Sequence, residues 1–303
     1  MSTETPHISV CICTYKRPQF LKRLLRGLAK QDTGGLFTFS TVVADNDHAL
    51  SAEPVVREFT ATSDIRVTYC VEPRQNIALA RNKAVENAEG DLVASIDDDE
   101  FPATDWLLHL FNARLNYGVD GVLGPVKPYY ECPPPDWVIK GGFFERPCYA
   151  TGYKLNWGET RTGNALFNRQ ILDSEEMPFR ADFDTGGEDL DFFRRMISKG
   201  CTFIWCNEAL VYEAVPSSRC NRAYLLKRAL LRGSDFPKHP THRIRNAIKS
   251  LIAVPCYTLA LPFLALFGQH VVFTYTIKLC DHSSRLLALL GWRLMTRRNE
   301  LAS

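Results

Sequence analysis

For about the first hundred residues, short apolar runs alternate with amphipathic stretches. Residues 7–13 (HISVCIC) are apolar and β-branched, as a buried strand requires, and the run stops at Thr14-Tyr15-Lys16-Arg17-Pro18, where proline cannot continue a ladder. Phe20, Leu21, Leu24, Leu25 and Leu28 then recur at helical spacing, with Lys22, Arg23 and Arg26 on the opposite side. Further strands are predicted at residues 38–44, 65–71 and 91–96, and a helix through Ile77, Ala80, Ala84, Val85 and Ala88 that stops at Gly90. This alternation predicts an α/β fold with a mostly parallel sheet and helices on both faces. Ligands of such sheets bind beyond the carboxyl ends of the strands. Three polar clusters fall there, at residues 14–17, 45–47 and 97–100.

After residue 100 the helical pattern resumes through Trp106, Leu107, Leu110 and Phe111, and residues 117–160 then turn rich in proline, glycine and aromatics. That stretch predicts loops and short strands walling a site. A strand is expected at 162–168, a helix after Gly186-Gly187-Glu188-Asp189, and short strands at 201–206 and 209–212. From residue 216 the chain changes character. Residues 223–231 are amphipathic and basic, and residues 250–277 carry no formal charge for 28 positions. A membrane span needs about 20 apolar residues, but Pro255, Pro262, Gly268, Gln269 and His270 interrupt the run. Basic residues flank both sides, with Arg243, Arg245 and Lys249 before it and Arg293, Arg297 and Arg298 after it. Two positive flanks favour both ends on the cytoplasmic side, which predicts a re-entrant or interfacial helical hairpin; a buried core helix pair is the alternative. The expected division is an α/β domain over 1–215 and a membrane-associating helical tail over 216–303.

Net charge sharpens the division. The whole chain is +2, yet residues 238–303 hold nine Lys/Arg against two Asp/Glu, which leaves residues 1–237 at −5. An acidic body with a basic, apolar tail argues against nucleic acid as a partner and for an anionic membrane. The ten cysteines form no CxxC pair and no zinc-spaced cluster with histidine; His109, His239 and His242 show no metal spacing either. Most cysteines lie in apolar runs, so reduced thiols in the cytoplasm are expected. The N-terminal residues lack the pattern of a signal peptide, which agrees with a cytoplasmic active portion.

Asp97-Asp98-Asp99-Glu100 follow an apolar strand directly. Four adjacent carboxylates repel one another and call for a cation or for donors. A hard divalent cation is one answer, since Mg²⁺ is often held by one or two carboxylates plus substrate phosphates. A solvated turn capping the next helix is the other. If the strand stays extended, Asp97 and Asp99 share a side. A second acidic pair, Glu188-Asp189, follows two glycines and opens a helix. Acidic groups are favourable there on dipolar grounds alone, but glycines also allow a ligand close approach, and a carboxylate so placed can act as a general base.

Taken in order, CTYKRP (13–18), VADN (43–46), NIALARN (76–82), EGDLVASIDDDE (89–100), TGNALF (162–167) and GGEDLDFFRR (186–195) resemble the inverting family 2 glycosyltransferases of GT-A fold over about residues 7–215. The finer pattern is most similar to bacterial exopolysaccharide enzymes of the succinoglycan glucosyltransferase type. The resemblance implies a nucleotide-sugar donor held by Thr14, Tyr15, Arg17, Asp45 (at the uracil), Arg81, Asp97 and Asp98. It implies Mg²⁺ or Mn²⁺ on Asp99 with Asp97, and Asp189 as catalytic base with Glu188 beside it. It further implies transfer of one hexose, UDP-glucose being the expected donor, to a lipid-linked oligosaccharide at the cytoplasmic face of the inner membrane. Glu213 stands where relatives place a histidine near the metal, and the QxxRW motif of processive synthases is absent. Trp137, Tyr149 and Trp157 are candidates for stacking on sugar rings, and Arg219, Arg222 and Arg228 for contacts with the diphosphate or with lipid headgroups. The competing readings are a nucleotidyltransferase, which would release pyrophosphate and not a nucleoside diphosphate, and a catalytically silent membrane scaffold.

Overall fold

The computed structural model describes residues 5–183, 186–235, 243–292 and 294. The expected flanking arginines Arg293, Arg297 and Arg298, together with His239 and His242, lie outside them. Ten strands and ten α-helices are found among the described residues. In chain order the first half runs β1 (His7–Thr14), α1 (Pro18–Leu28), β2 (Thr38–Asp45), α2 (Glu53–Thr60), β3 (Val67–Val71), α3 (Ile77–Glu86) and β4 (Leu92–Ile96). There follow β5 (Glu100–Pro102), α4 (Trp106–Tyr117), β6 (Gly121–Leu123), β7 (Val126–Tyr130), α5 (Asp136–Gly141), β8 (Asn164–Asn168) and α6 (Arg169–Asp173). The remainder is α7 (Glu188–Ser198), β9 (Phe203–Trp205), β10 (Val211–Val215), α8 (Arg222–Asp235), α9 (Arg243–Leu264) and α10 (Gln269–Leu289).

The main sheet has the order β3-β2-β1-β4-β8-β6-β9, and its first four strands are parallel. β8 runs antiparallel between β4 and β6. Period-two alternation sorts β1 between two cores. Ile8, Val10 and Ile12 pack with α1 and α4 on one face, while Cys11 joins Ala84 and Val85 of α3 and Phe192, Phe193 and Met196 of α7 on the other. Register carries Thr14 opposite Asp45 and Asp45 opposite Val71, so the polar ends of β1, β2 and β3 line up. A smaller sheet orders β5-β10-β7. The strand expected at 201–206 is confined to β9, and the one at 209–212 runs on to Val215 as β10.

Two compact units result, residues 1–128 with 146–214, and residues 129–145 with 215–303. Residues 129–145, which the sequence reading kept with the α/β domain, thus cluster with the tail. The reason is aromatic packing: Trp137 and Phe143 of this segment meet Phe273 of α10 at ring distances of 5.1 and 5.6 Å. In the same unit, α9 and α10 make a hairpin through a short 3₁₀ turn (Ala265–Phe267) and Gly268, whose φ of +103 suits glycine. The ten cysteines are all free; Cys132, Cys148 and Cys256 are exposed.

Candidate active site

β4 ends at Ile96, and the acidic residues turn away from it. The Glu100 N–H donates to the Asp97 carbonyl at 3.1 Å, closing a turn in which Asp97 goes to Arg81, Asp98 and Asp99 share Arg17, and Glu100 goes to Arg146. The extended chain on which Asp97 and Asp99 would share a side therefore ends at Ile96. Asp98 is buried, accepting from the Thr14 hydroxyl at 2.9 Å and from Arg17 Nη1 at 3.0 Å. The same Nη1 lies 3.3 Å from Asp99. Burial pushes the Asp98 carboxyl up to about 6, with the Arg17 charge pulling the other way. Thr14 and Arg17 thus lock the loop after β1, which also holds Tyr15, to the acidic turn.

Arg81 comes from α3, whose start is fixed by Asn76: its Oδ1 accepts from the N–H groups of Ala78 and Leu79. The Arg81 guanidinium is buried and bridges both acidic clusters. Nη2 donates to Asp97 at 3.0 Å, Nε to Glu188 at 3.0 Å, and Nη1 reaches the Ser95 hydroxyl at 3.5 Å. Segments far apart in the chain therefore meet at one residue. Glu188 is raised by burial and by its neighbour Asp189, against the pull of Arg81, and its second oxygen is buried without a hydrogen-bond partner. Asp189 is only partly buried, with one oxygen accepting from the Leu190 N–H at 2.8 Å. Gly187, at φ +96, lets the chain enter α7 with this pair presented at its first turn. Of the two, Asp189 is the one with access to an incoming group.

Sequence patterns gave no sign of a third knot. β5 and β10 set Glu100 directly opposite Glu213, and Arg146 neutralises both, at 3.8 Å from Glu100 and in a short hydrogen bond to Glu213. Glu213 is thus committed to an arginine. Gly163 packs so closely here that a Cβ would lie 2.7 Å from Glu100 Oε1 and 3.1 Å from Asp97 Oδ2. Next in the chain, Asn164 accepts from the Trp106 indole at 2.8 Å and donates to the carbonyls of Pro125 and Ala209 at 3.0 and 2.7 Å. Arg161, two residues before Gly163, faces Arg146, Asp189, Glu100 and Glu213 within electrostatic range.

Other expected residues stand elsewhere. Asp45 has no exposed surface, and its oxygens accept from the N–H groups of Asp47 and Ala52 and from the Tyr69 hydroxyl. Three hydrogen bonds thus tie this carboxylate to the loop after β2 and to β3. Trp137 is packed between Phe143 and Phe273 with Arg222 over its face, as core and not as a sugar platform. Tyr149 stacks on Tyr153 at 4.7 Å and meets Trp205 edge-on.

For a divalent cation the donors fit in part. Among the described residues no three His, Cys, Asp or Glu side chains converge as a metal cage. Asp97 is 40% exposed and Asp99 12%, both at the turn, which suits an ion sharing its coordination with substrate phosphates.

Comparison with known proteins identifies the family and the fold. The family model for glycosyl transferase family 2 matches residues 9–174. The succinoglycan biosynthesis protein ExoM of Rhizobium meliloti is 37% identical over 255 residues, covering 82% of this chain and 80% of the relative. Glycosyltransferase AglE of Haloferax volcanii is 26% identical over 214 residues, 69% of this chain and 67% of the relative. Among solved structures, the mannosyltransferase PcManGT of Pyrobaculum calidifontis, in complex with GDP-Man and Mn²⁺, aligns with a TM-score of 0.61 at 21% identity, over 95% of this chain and 87% of that one. S. aureus TarS 1–349 in complex with UDP aligns at 0.52 and 16% identity, over 95% and 93%. The fold is GT-A-like, and the chain belongs to glycosyl transferase family 2.

Proposed function

We propose that this glycosyltransferase moves a single hexose, with UDP-glucose as donor, to a lipid-linked oligosaccharide at the cytoplasmic face of the membrane, in exopolysaccharide synthesis. The observation that carries the reading is Arg81, whose one guanidinium ties the acidic turn to the Glu188-Asp189 pair. An inverting transfer needs a base on one side of the sugar and stabilised negative charge on the other, and two carboxylate groups joined through one arginine supply that separation.

Asp189 takes the proton from the acceptor hydroxyl as its oxygen attacks the anomeric carbon. Glu188 stays fixed on Arg81, which keeps the base from being drawn into the same ion pair. Thr14, Arg17 and Asp98 shape the donor pocket at the end of β1. Asp99 and Asp97 would hold Mg²⁺ or Mn²⁺, which when bound acts as a Lewis acid on the departing diphosphate. A metal-bearing structural neighbour and the partial donor set support that assignment. The exopolysaccharide relative supports the pathway, and the exposed apolar helix α9 supports the membrane.

The test is a panel of nucleotide sugars assayed for release of nucleoside diphosphate with and without Mn²⁺ or Mg²⁺. UDP-glucose alone should turn over, and only with metal. Asp189→Asn should lower kcat by about 10²–10⁴-fold with nucleotide affinity retained; transfer at the wild-type rate would remove Asp189 from the base role. Pyrophosphate release would instead point to nucleotidyl transfer.

A further inference from the structure

Three guanidinium groups of the site each bridge two carboxylates: Arg17 holds Asp98 and Asp99, Arg81 holds Asp97 and Glu188, and Arg146 holds Glu100 and Glu213. Arg161 is a fourth, and it has no ion pair among the described residues. Its segment is fixed in place. Thr160 and Thr162 on either side are buried, and Gly163 lies against Glu100 and Asp97. The Thr162 hydroxyl is also buried without a hydrogen-bond partner. Arg161 itself is half-buried, and loss of water together with the nearby Arg146 charge holds its pKa below the usual arginine range. Asp189, Glu100 and Glu213 lie within electrostatic range without pairing with it, and desolvation together with Arg146 outweighs them, so a further anion in contact with the guanidinium would be favourable.

We propose that Arg161 binds a phosphate oxygen of the donor's diphosphate. The planar fork of a guanidinium matches two phosphate oxygens, and this chemistry suits a site whose remaining arginines are already engaged. The bound diphosphate offers the negative charge that Arg161 can pair with, and that charge grows as the bond between the anomeric carbon and the diphosphate oxygen breaks. This rests on the nucleotide-sugar reading above and adds to it the residue that carries the diphosphate charge alongside the metal.

The experiment measures apo melting temperature and calorimetric affinity for UDP, GDP and inorganic pyrophosphate, each with Mn²⁺, in wild type, Arg161→Met and Arg161→Lys. Removing an unpaired, repelled cation should leave the apo melting temperature of Arg161→Met equal to or above wild type. Affinity for the diphosphate that wild type binds should fall by about ten- to a hundredfold, and Arg161→Lys should recover part of it. Affinity within twofold of wild type would overturn the assignment. So would a loss accompanied by a lowered apo melting temperature, which marks a structural arginine. If wild type binds neither UDP nor GDP, the nucleotide-sugar reading fails by itself. Pyrophosphate then decides the role of Arg161, with loss of binding in Arg161→Met upholding it and equal or absent binding in wild type and variant refuting it.

Discussion

At the scale of single residues, the site works by burying carboxylates that are costly to ionise and meeting most of the cost with arginine. Asp98, Glu100 and Glu188 are all raised above ordinary carboxylates, in each case chiefly by burial. A raised folded-state pKa means that the folded protein holds the proton more tightly than the unfolded chain, so stability is lost as pH rises through the folded value. For Asp98 that window runs from the ordinary carboxylate range to about 6. In metal-free protein, the melting temperature of Asp98→Asn relative to wild type should therefore rise between pH 4.5 and pH 7, because only wild type must ionise this carboxyl. Thermal melts across that range check it, and a constant difference would show that Asp98 titrates normally. The acidic runs were readable as chemistry because carboxylates in series are rarely idle. Their partners were not readable. Arg81 came only from the family resemblance, and nothing in Arg146 or Arg161 taken singly distinguishes them from surface arginines, since their charged neighbours at the site are distant in sequence.

At the scale of elements, β1 to β4 were legible because their alternating apolar positions face two cores and their one carboxylate, Asp45, stands at a carboxyl end. β8 shows why motif letters needed the structure for their meaning. TGNALF reads as a strand, but its Gly163 and Asn164 are a spacer and a clamp: one admits the acidic side chains of the turn, the other joins Trp106 to two loop carbonyls. Gly163→Ala should push its new methyl into Glu100 and Asp97, and because both carboxylates are already pinned by arginines, it should destabilise by about 1–3 kcal/mol. It should also weaken metal-dependent turnover, since Asp97 must move. Urea unfolding and the Mn²⁺ concentration for half-maximal rate report the two effects. An unchanged unfolding midpoint would mean that the turn is looser than its hydrogen bonds suggest. The packing of residues 129–145 with the tail was not legible at this same scale, because their aromatics carry no periodicity that reveals a partner more than a hundred residues away.

At the scale of the whole molecule, the division of charge and apolar surface bears on the proposed membrane association. Within Ile244–Phe267 an 18-residue window has a mean hydropathy of 2.0, and Leu259, Phe263 and Leu266 are 73, 71 and 84% exposed. Water is a poor solvent for that surface. Covering each such side chain is worth about 1.5–3 kcal/mol, while nearby Arg245 and Lys249 favour anionic headgroups. Pro255 and Pro262 lie inside the helix, and a neighbouring α10 that carries Lys278, Asp281 and Arg285 is poorly suited to bury in hydrocarbon. A helix lying in the interface fits this composition better than a pair of full crossings. Replacing Leu259, Phe263 and Leu266 together with glutamate should therefore leave the melting temperature of the detergent-free protein unchanged or higher, since these side chains support no core. Flotation with vesicles of anionic phospholipid should fall by tenfold or more, and should fall again for wild type in high salt, because the basic flank is screened. Hydrolysis of the nucleotide sugar in solution should persist in the variant while transfer to a vesicle-borne acceptor is lost. Should the triple variant still float with the vesicles, α9 is not what holds the catalytic unit to the bilayer.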